Sequence, residues 1–404
     1  MLNLKTKKEY FLFYLSYSIY ALAVIANTTV LPYVIGASAF STFTKIVRYI
    51  AYLLIVIKII GDHYKLRQLI LFGCIGLLFL FAGIKCGNNI LITSYLFILG
   101  VQNLNFEKIL QFCMVLMTLC MIIVVSMSVI GILPNWYYLV DDRERWCFGY
   151  IYPSYLSSAF FYIMVLSLTV KKHKINLLET IILEVINLII YIISDSRAAF
   201  YLLSCVIIVY WLIDKVPVRS RFRSAVRFVS VLTFPICTCV SFIVSTLYGK
   251  YTIIDKINIV LNNRPKMAHQ ALQEFGVSLW GQEIKWIGYG GLGYIYDNLP
   301  GEYNFVDNSY MKILFDYGLV ILLIVVICFT FGVWSFSCQK NDALCLALMF
   351  VAIYSVIEPR LMEFGYNPFI LSICTALITI SKMIKNNKFV LKSKVKYEAG
   401  LHNL

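Results

Sequence analysis

The chain has 404 residues, 60% hydrophobic and 14% charged, with a mean hydropathy of +0.80. Soluble domains carry roughly 25% charged residues, so a soluble class is excluded, and apolar runs of about 20 residues indicate a polytopic membrane protein. The net charge of +14 is assigned to basic cytoplasmic loops rather than to a nucleic-acid partner.

The runs are too long and continuous for barrel strands, so the spans are helices. The N-terminus, MLNLKTKKEY, leads into an apolar run without a small-residue cleavage site. It predicts a retained first helix rather than a signal peptide. Twelve spans are expected, near 10–30, 42–60, 68–85, 90–104, 109–131, 153–170, 176–193, 198–213, 227–248, 309–332, 343–357 and 366–382. The expected fold class is an all-α integral membrane protein forming a single domain. Lysine and arginine gather on one side: Lys5, Lys7 and Lys8; Lys65 and Arg67; Lys171, Lys172 and Lys174; Lys215, Arg219, Arg221, Arg223 and Arg227; and the tail from Lys382. By the positive-inside bias that side is cytoplasmic, and both termini lie there.

One long polar interruption, 251–308, then falls outside. It is rich in Ile, Leu, Trp and Tyr, unlike a disordered segment. A loop of this length is usually functional. It predicts a short helix opening at Arg264-Pro265, with Asn262 or Asn263 as cap and Gly276 as stop. The whole segment reads as a folded cap over a membrane site.

Five arginines stand at helix mouths on this outside face: Arg143 and Arg145 in DDRERWCFGYIYPS, Arg197 in SDSRAAF, Arg264 in the long loop, and Arg360 in EPRLMEFGYNP. Each could snorkel to headgroups or pair with Asp141, Asp142, Asp195 or Glu358. Together they are expected to converge on an anionic ligand, because a guanidinium offers phosphate a planar fork. Asp307-Asn308 precedes the tenth span. Either residue could cap that helix, and Asp307 could also serve as a general base toward a hydroxyl.

Other signals are weaker. Gly288, Gly290 and Gly293 match G-x-G-x-x-G, but no strand precedes them, so they read as turn glycines. The cysteines sit mostly in apolar runs, and Cys237 and Cys239 have no partner cluster. His63, His173, His269 and His402 are scattered, with His269 on the loop helix beside Arg264. No metal ligand set and no cofactor is expected. Trp280, Trp286, Tyr289, Tyr294, Tyr296 and Tyr303 in the loop could stack on sugar rings.

Four stretches together resemble the Wzy-type O-antigen and capsular-polysaccharide polymerases, within the O-antigen ligase/polymerase superfamily. They are RERWCFGYIYPSYLSS, SDSRAAF, LNNRPKMAHQALQEFGVSLWG and VDNSYMKILFDYGLV. In the first, Ser154 stands where the family commonly has Asn. The resemblance covers about residues 100–380. It implies a GT-C-like, metal-independent glycosyltransferase of the bacterial cytoplasmic membrane. The implied donor is a glycan on undecaprenyl pyrophosphate, and the acceptor is the terminal hydroxyl of a lipid-linked repeat unit. A chain-length regulator and a flippase of the same pathway are the implied protein partners. Asp307 and Arg264 become the catalytic candidates. Arg143, Arg145, Arg197, Arg360, His269, Asn308 and Tyr310 become the substrate-binding ones. Ligases carry His at the position of Asp307, which favours the polymerase over a ligase. The remaining alternative is a transporter such as a lipid-linked-oligosaccharide flippase. Neither the internal repeats nor the broken helices of transporters are legible in the sequence.

Overall fold

The computed structural model describes residues 4–140, 143–172, 175–288 and 302–384. Asp141, Asp142, His173, Lys174, Tyr289, Gly290, Gly293, Tyr294, Tyr296, His402 and the tail lysines from Lys385 onward lie outside the described residues. The first half runs α1 (Leu4–Asn27), α2 (Leu31–Ile35), α3 (Ala37–Gly61), α4 (Leu66–Lys85), α5 (Ile90–Gly100), α6 (Phe106–Val129), β1 (Tyr137–Val140) and β2 (Arg143–Trp146). The second runs α7 (Pro153–Val170), α8 (Leu177–Ser194), α9 (Arg197–Asp214), α10 (Arg221–Thr246), α11 (Thr252–Val260), α12 (Arg264–Phe275), α13 (Ser309–Cys338) and α14 (Asp342–Tyr354). The last helix, α15, is Pro368–Ile384.

Each expected span is occupied by a helix. Eight of these helices are long and apolar enough to cross a membrane: α1, α4, α6, α7, α8, α9, α10 and α13. The chain is therefore an all-α, multi-pass membrane protein. Of the other four, α3 has the length but carries Lys45, Arg48 and Lys58. Helix α5 has 11 residues, which at about 1.5 Å per residue reaches roughly half of a 30 Å hydrocarbon core. Local chemistry sets several boundaries. Helix α7 opens on Pro153, whose missing N–H costs nothing in a first turn. Helix α8 opens on a reciprocal cap. The Glu179 N–H donates to Asn176 Oδ1 at 2.8 Å, and the Asn176 N–H donates to Glu179 Oε2 at 3.1 Å.

The turns collect at two ends of the bundle. At one end Glu107 meets Lys172 and Asn341, and the Tyr210 hydroxyl donates to the Ala343 carbonyl. Arg223 and Arg227, read from sequence among the basic residues of the cytoplasmic side, are buried inside α10 and share Asp342 at 2.9 and 2.6 Å. Removing one partner from such a group leaves uncompensated buried charge, worth about 3–5 kcal/mol. Asp342→Ala is thus expected to lower the thermal stability of the purified protein by that order, whereas Lys215→Ala, at an exposed pair, should leave it within about 0.5 kcal/mol.

The opposite end carries the long loop. Here the 28–30 turn pairs with 149–151 through backbone hydrogen bonds, and Ser309 is stitched to the 355–361 turn. The Ser309 N–H donates to the Ser355 carbonyl at 2.8 Å, its hydroxyl donates to the Glu358 carbonyl, and it accepts from the Leu361 N–H at 3.0 Å.

Three features at this end depart from the sequence reading. Residues 137–146, expected as plain loop, form an antiparallel hairpin with Tyr138 opposite Arg145. The loop helix α12 begins and ends where expected, but Asn263 does not cap it. Asn263 sits in the left-handed region with φ 63°, and the open Lys266 N–H is taken by Asn258 from α11 at 2.9 Å. Most consequential, α13 is broken rather than continuous. Gly318, with φ 85° and ψ 172°, interrupts it nine residues in. The Leu319 and Val320 N–H groups, freed by the break, donate to the Ser278 and Leu279 carbonyls at 3.0 and 3.2 Å, and the Gln282 N–H donates to the Asp316 carbonyl. The long loop thus inserts an extended strap into the break and satisfies its backbone, the condition for irregular chain within a bilayer.

Candidate active site

Asp307 immediately precedes α13. Its neighbour Asn308 is the cap: Asn308 Oδ1 accepts from the Tyr310 and Met311 N–H groups at 3.0 and 3.1 Å, and its amide donates to the Ser241 hydroxyl at 2.9 Å. Capping is therefore complete without Asp307. The Asp307 side chain is half-buried and makes no hydrogen bond or ion pair with any described residue. Arg264, Arg360 and Lys312 act on it electrostatically. Burial pushes its carboxyl above the ordinary range, and the three cations pull against that shift without cancelling it.

These three cations differ in how they are held. The Arg264 side chain reaches only the Leu261 carbonyl, at 3.2 Å. Its Nε is buried and unpartnered, and no carboxylate of the described residues lies within ion-pair distance. Arg360 is buried and boxed in. It pairs with Glu358, lies 3.5 Å from Glu363, donates to the Ser158 hydroxyl at 3.3 Å, and stacks over Tyr155 and Tyr366 at 4.2 and 5.1 Å. Lys312 pairs with Asp316 at 3.1 Å and lies over the Trp286 and Phe305 rings at 4.2 and 5.0 Å. The Trp286 indole N–H donates to Asp316 at 2.7 Å, which anchors the long loop to the first half of α13.

The other three arginines form a second cluster at the α8–α9 turn. Arg143 and Arg197 both engage Asp195, which ends α8 in the left-handed region. Arg145, directed by the β2 register, donates to the Ser194 carbonyl at 3.1 Å and lies 5.6 Å over Tyr152. Tyr152 joins the clusters, since Arg145, Asp307 and Arg264 all act on its hydroxyl. Beneath this turn a small crevice of about 10 Å³ opens between α7, α8 and α9, lined by Ser157, Asn187, Tyr191, Ser194 and Phe200 among others. The five arginines thus form two groups bridged by a tyrosine rather than one clamp.

Two expected ligand contacts face elsewhere. His269 bonds the Ser245 carbonyl at 2.8 Å and Gln273 at 2.9 Å, tying α12 to α10. Tyr310 is buried, and its hydroxyl donates to the Ala352 carbonyl at 2.8 Å. Asn308 is likewise committed to its cap and to Ser241. Sequence reading missed Lys312, Glu363, Tyr152 and Tyr155. The Lys312/Asp316 pair, at i,i+4 inside an otherwise apolar span, was a readable signal. The two tyrosines, among 29, carried none. Among the described residues no cluster of three His, Cys, Asp or Glu side chains could hold a metal ion.

Protein-family models, curated proteins and solved structures were all compared with the chain, and none matches it.

Proposed function

We propose that the protein is a polysaccharide polymerase working on the outer face of a bacterial cytoplasmic membrane, with the long-loop end outside. One observation carries the reading. Arg264 acts electrostatically on Asp307, and among the described residues neither side chain is engaged in an ion pair. A carboxylate and a guanidinium without ion pairs, near one another at a helix mouth, are available to engage a reacting group.

In this mechanism the acceptor hydroxyl gives its proton to the Asp307 carboxylate. Its oxygen forms a bond to the donor's anomeric carbon. The bond from that carbon to the pyrophosphate oxygen breaks, and undecaprenyl pyrophosphate leaves with the electron pair. Arginine forks stabilise the charge that develops on the leaving group. A raised carboxyl pKa suits the task, because a general base works best when its pKa lies near the working pH.

The test is direct. Purified protein given the cells' own lipid-linked repeat units should yield a ladder of polymer on a gel, and no ladder from active-site-intact protein would sink the reading. Arg264→Lys keeps the charge but loses the fork, so its rate should fall about tenfold or more.

The break in α13 favours one second reading, translocation of a lipid-linked glycan, since discontinuous helices mark transporter sites. A translocase would flip such lipids in vesicles and make no ladder.

A further inference from the structure

The charge balance around Asp307 bears on what the site can bind. Among the described residues, Arg360 and Lys312 are met by Asp307, Glu358, Glu363 and Asp316, so these two cations hold no surplus. A multiply charged pyrophosphate gains little from such a pocket. Hydroxyl groups suit it well, because an ionised carboxylate only accepts hydrogen bonds and a sugar hydroxyl donates them.

The carboxylates differ in access. The Glu358 side chain is 8% exposed and committed to Arg360. The Glu363 side chain is 34% exposed and only grazes Arg360, at 3.5 Å. The stitching of Ser309 to the Glu358 carbonyl and the Leu361 N–H sets the 358–363 turn beside Asp307. Asp307 and Glu363 act on the same neighbours, Arg360, Lys312 and the Tyr155 hydroxyl. The Trp286 and Phe305 rings flank Lys312.

We propose that Glu363 is a second substrate-contacting carboxylate, which accepts a hydrogen bond from a hydroxyl of the acceptor sugar next to the one Asp307 deprotonates. The pocket around Asp307 is then the glycan-acceptor subsite, selective for an uncharged sugar end. The pyrophosphate belongs nearer Arg145, Arg197 and Arg264. This assignment rests on the polymerase reading.

The experiment separates the two subsites. The acceptor is the cells' own repeat unit released from its lipid and mounted on an octyl chain. The donor is the intact lipid-linked unit, and inorganic pyrophosphate is the anionic probe. Glu363→Gln should raise the acceptor KM about tenfold, the weight of one hydrogen bond to a charged group, and leave donor KM and pyrophosphate inhibition unchanged. Glu363→Asp should recover part of the loss. A residue that only holds Arg360 would instead lower kcat or membrane level without this split. An unchanged acceptor KM, or a donor KM and pyrophosphate inhibition that shift in parallel with it, would overturn the assignment. Binding of the octyl glycoside, read by thermal shift, stands apart from catalysis. If the protein makes no polymer the polymerase reading falls, while equal glycoside affinity in native protein and Glu363→Gln would refute the subsite itself.

Discussion

Asp307→Asn is expected to reach the membrane at normal levels, fold, and lose about 10²–10⁴-fold of its polymerising activity, the usual weight of general base catalysis. The change is isosteric and leaves the α13 cap untouched, because Asn308 and not Asp307 accepts the open N–H groups. It removes only the proton acceptor. Stability gives a second, independent readout. Burial raises the folded-state pKa of Asp307 above its unfolded value. The ionised group therefore costs stability above the folded pKa, and that cost fades as pH falls through it. Asparagine has no charge to desolvate, so the variant should melt no lower than the native protein at neutral pH. The same shift places the acid limb of kcat/KM above the ordinary aspartate range near pH 4. A normal ladder from Asp307→Asn would make the residue structural.

Several features of this site could be read before any coordinates. Span positions followed from runs of apolar residues, a signal averaged over about 20 positions and so hard to miss. The cap helix was legible because Arg264-Pro265 and Gly276 punctuate it locally. Pairing was not legible. Arg223 and Arg227 read only as basic residues of the cytoplasmic side, yet both are buried and pair with Asp342, more than a hundred residues away. Arg143 and Arg197 looked like ligand forks, yet both reach Asp195. Asp342 lies on another helix, and no local pattern records it, whereas Asp195, two residues from Arg197, was one of the partners the sequence offered. The break at Gly318 was hidden for a related reason. A glycine inside an apolar run is ordinary in membrane helices, and what sets this one apart is the strap at 278–282, which only the folded chain brings beside it.

That strap sets the second large expectation. Gly318 has φ 85° with ψ 172°, a region essentially reserved for glycine, and Gly281 has φ 89°. A Cβ on Gly318 would sit 2.5 Å from the Gly281 nitrogen, and one on Gly281 would sit 2.5 Å from the Asp316 carbonyl oxygen. Both obstacles are backbone, so neither can swing aside. Alanine at either position must push the strap out of the break, which strands the Leu319 and Val320 N–H groups where hydrocarbon offers no substitute partner. Gly318→Ala is expected to cost about 3 kcal/mol or more. It should also lower activity, since the displaced half-helix carries Lys312 and Asp316 and follows Asp307 directly. Gly249→Ala is the control: it shares a positive φ of 75° but has nothing within 4 Å of the added carbon, so only backbone strain of about 1–2 kcal/mol applies. Gly281→Ala with Gly318→Ala should be no worse than the more damaging single change, because both break one contact. The measurement is thermal unfolding of each purified variant in detergent. A Gly318→Ala variant no less stable than Gly249→Ala would show that the strap does not hold the break, and additive losses in the double variant would show two separate defects.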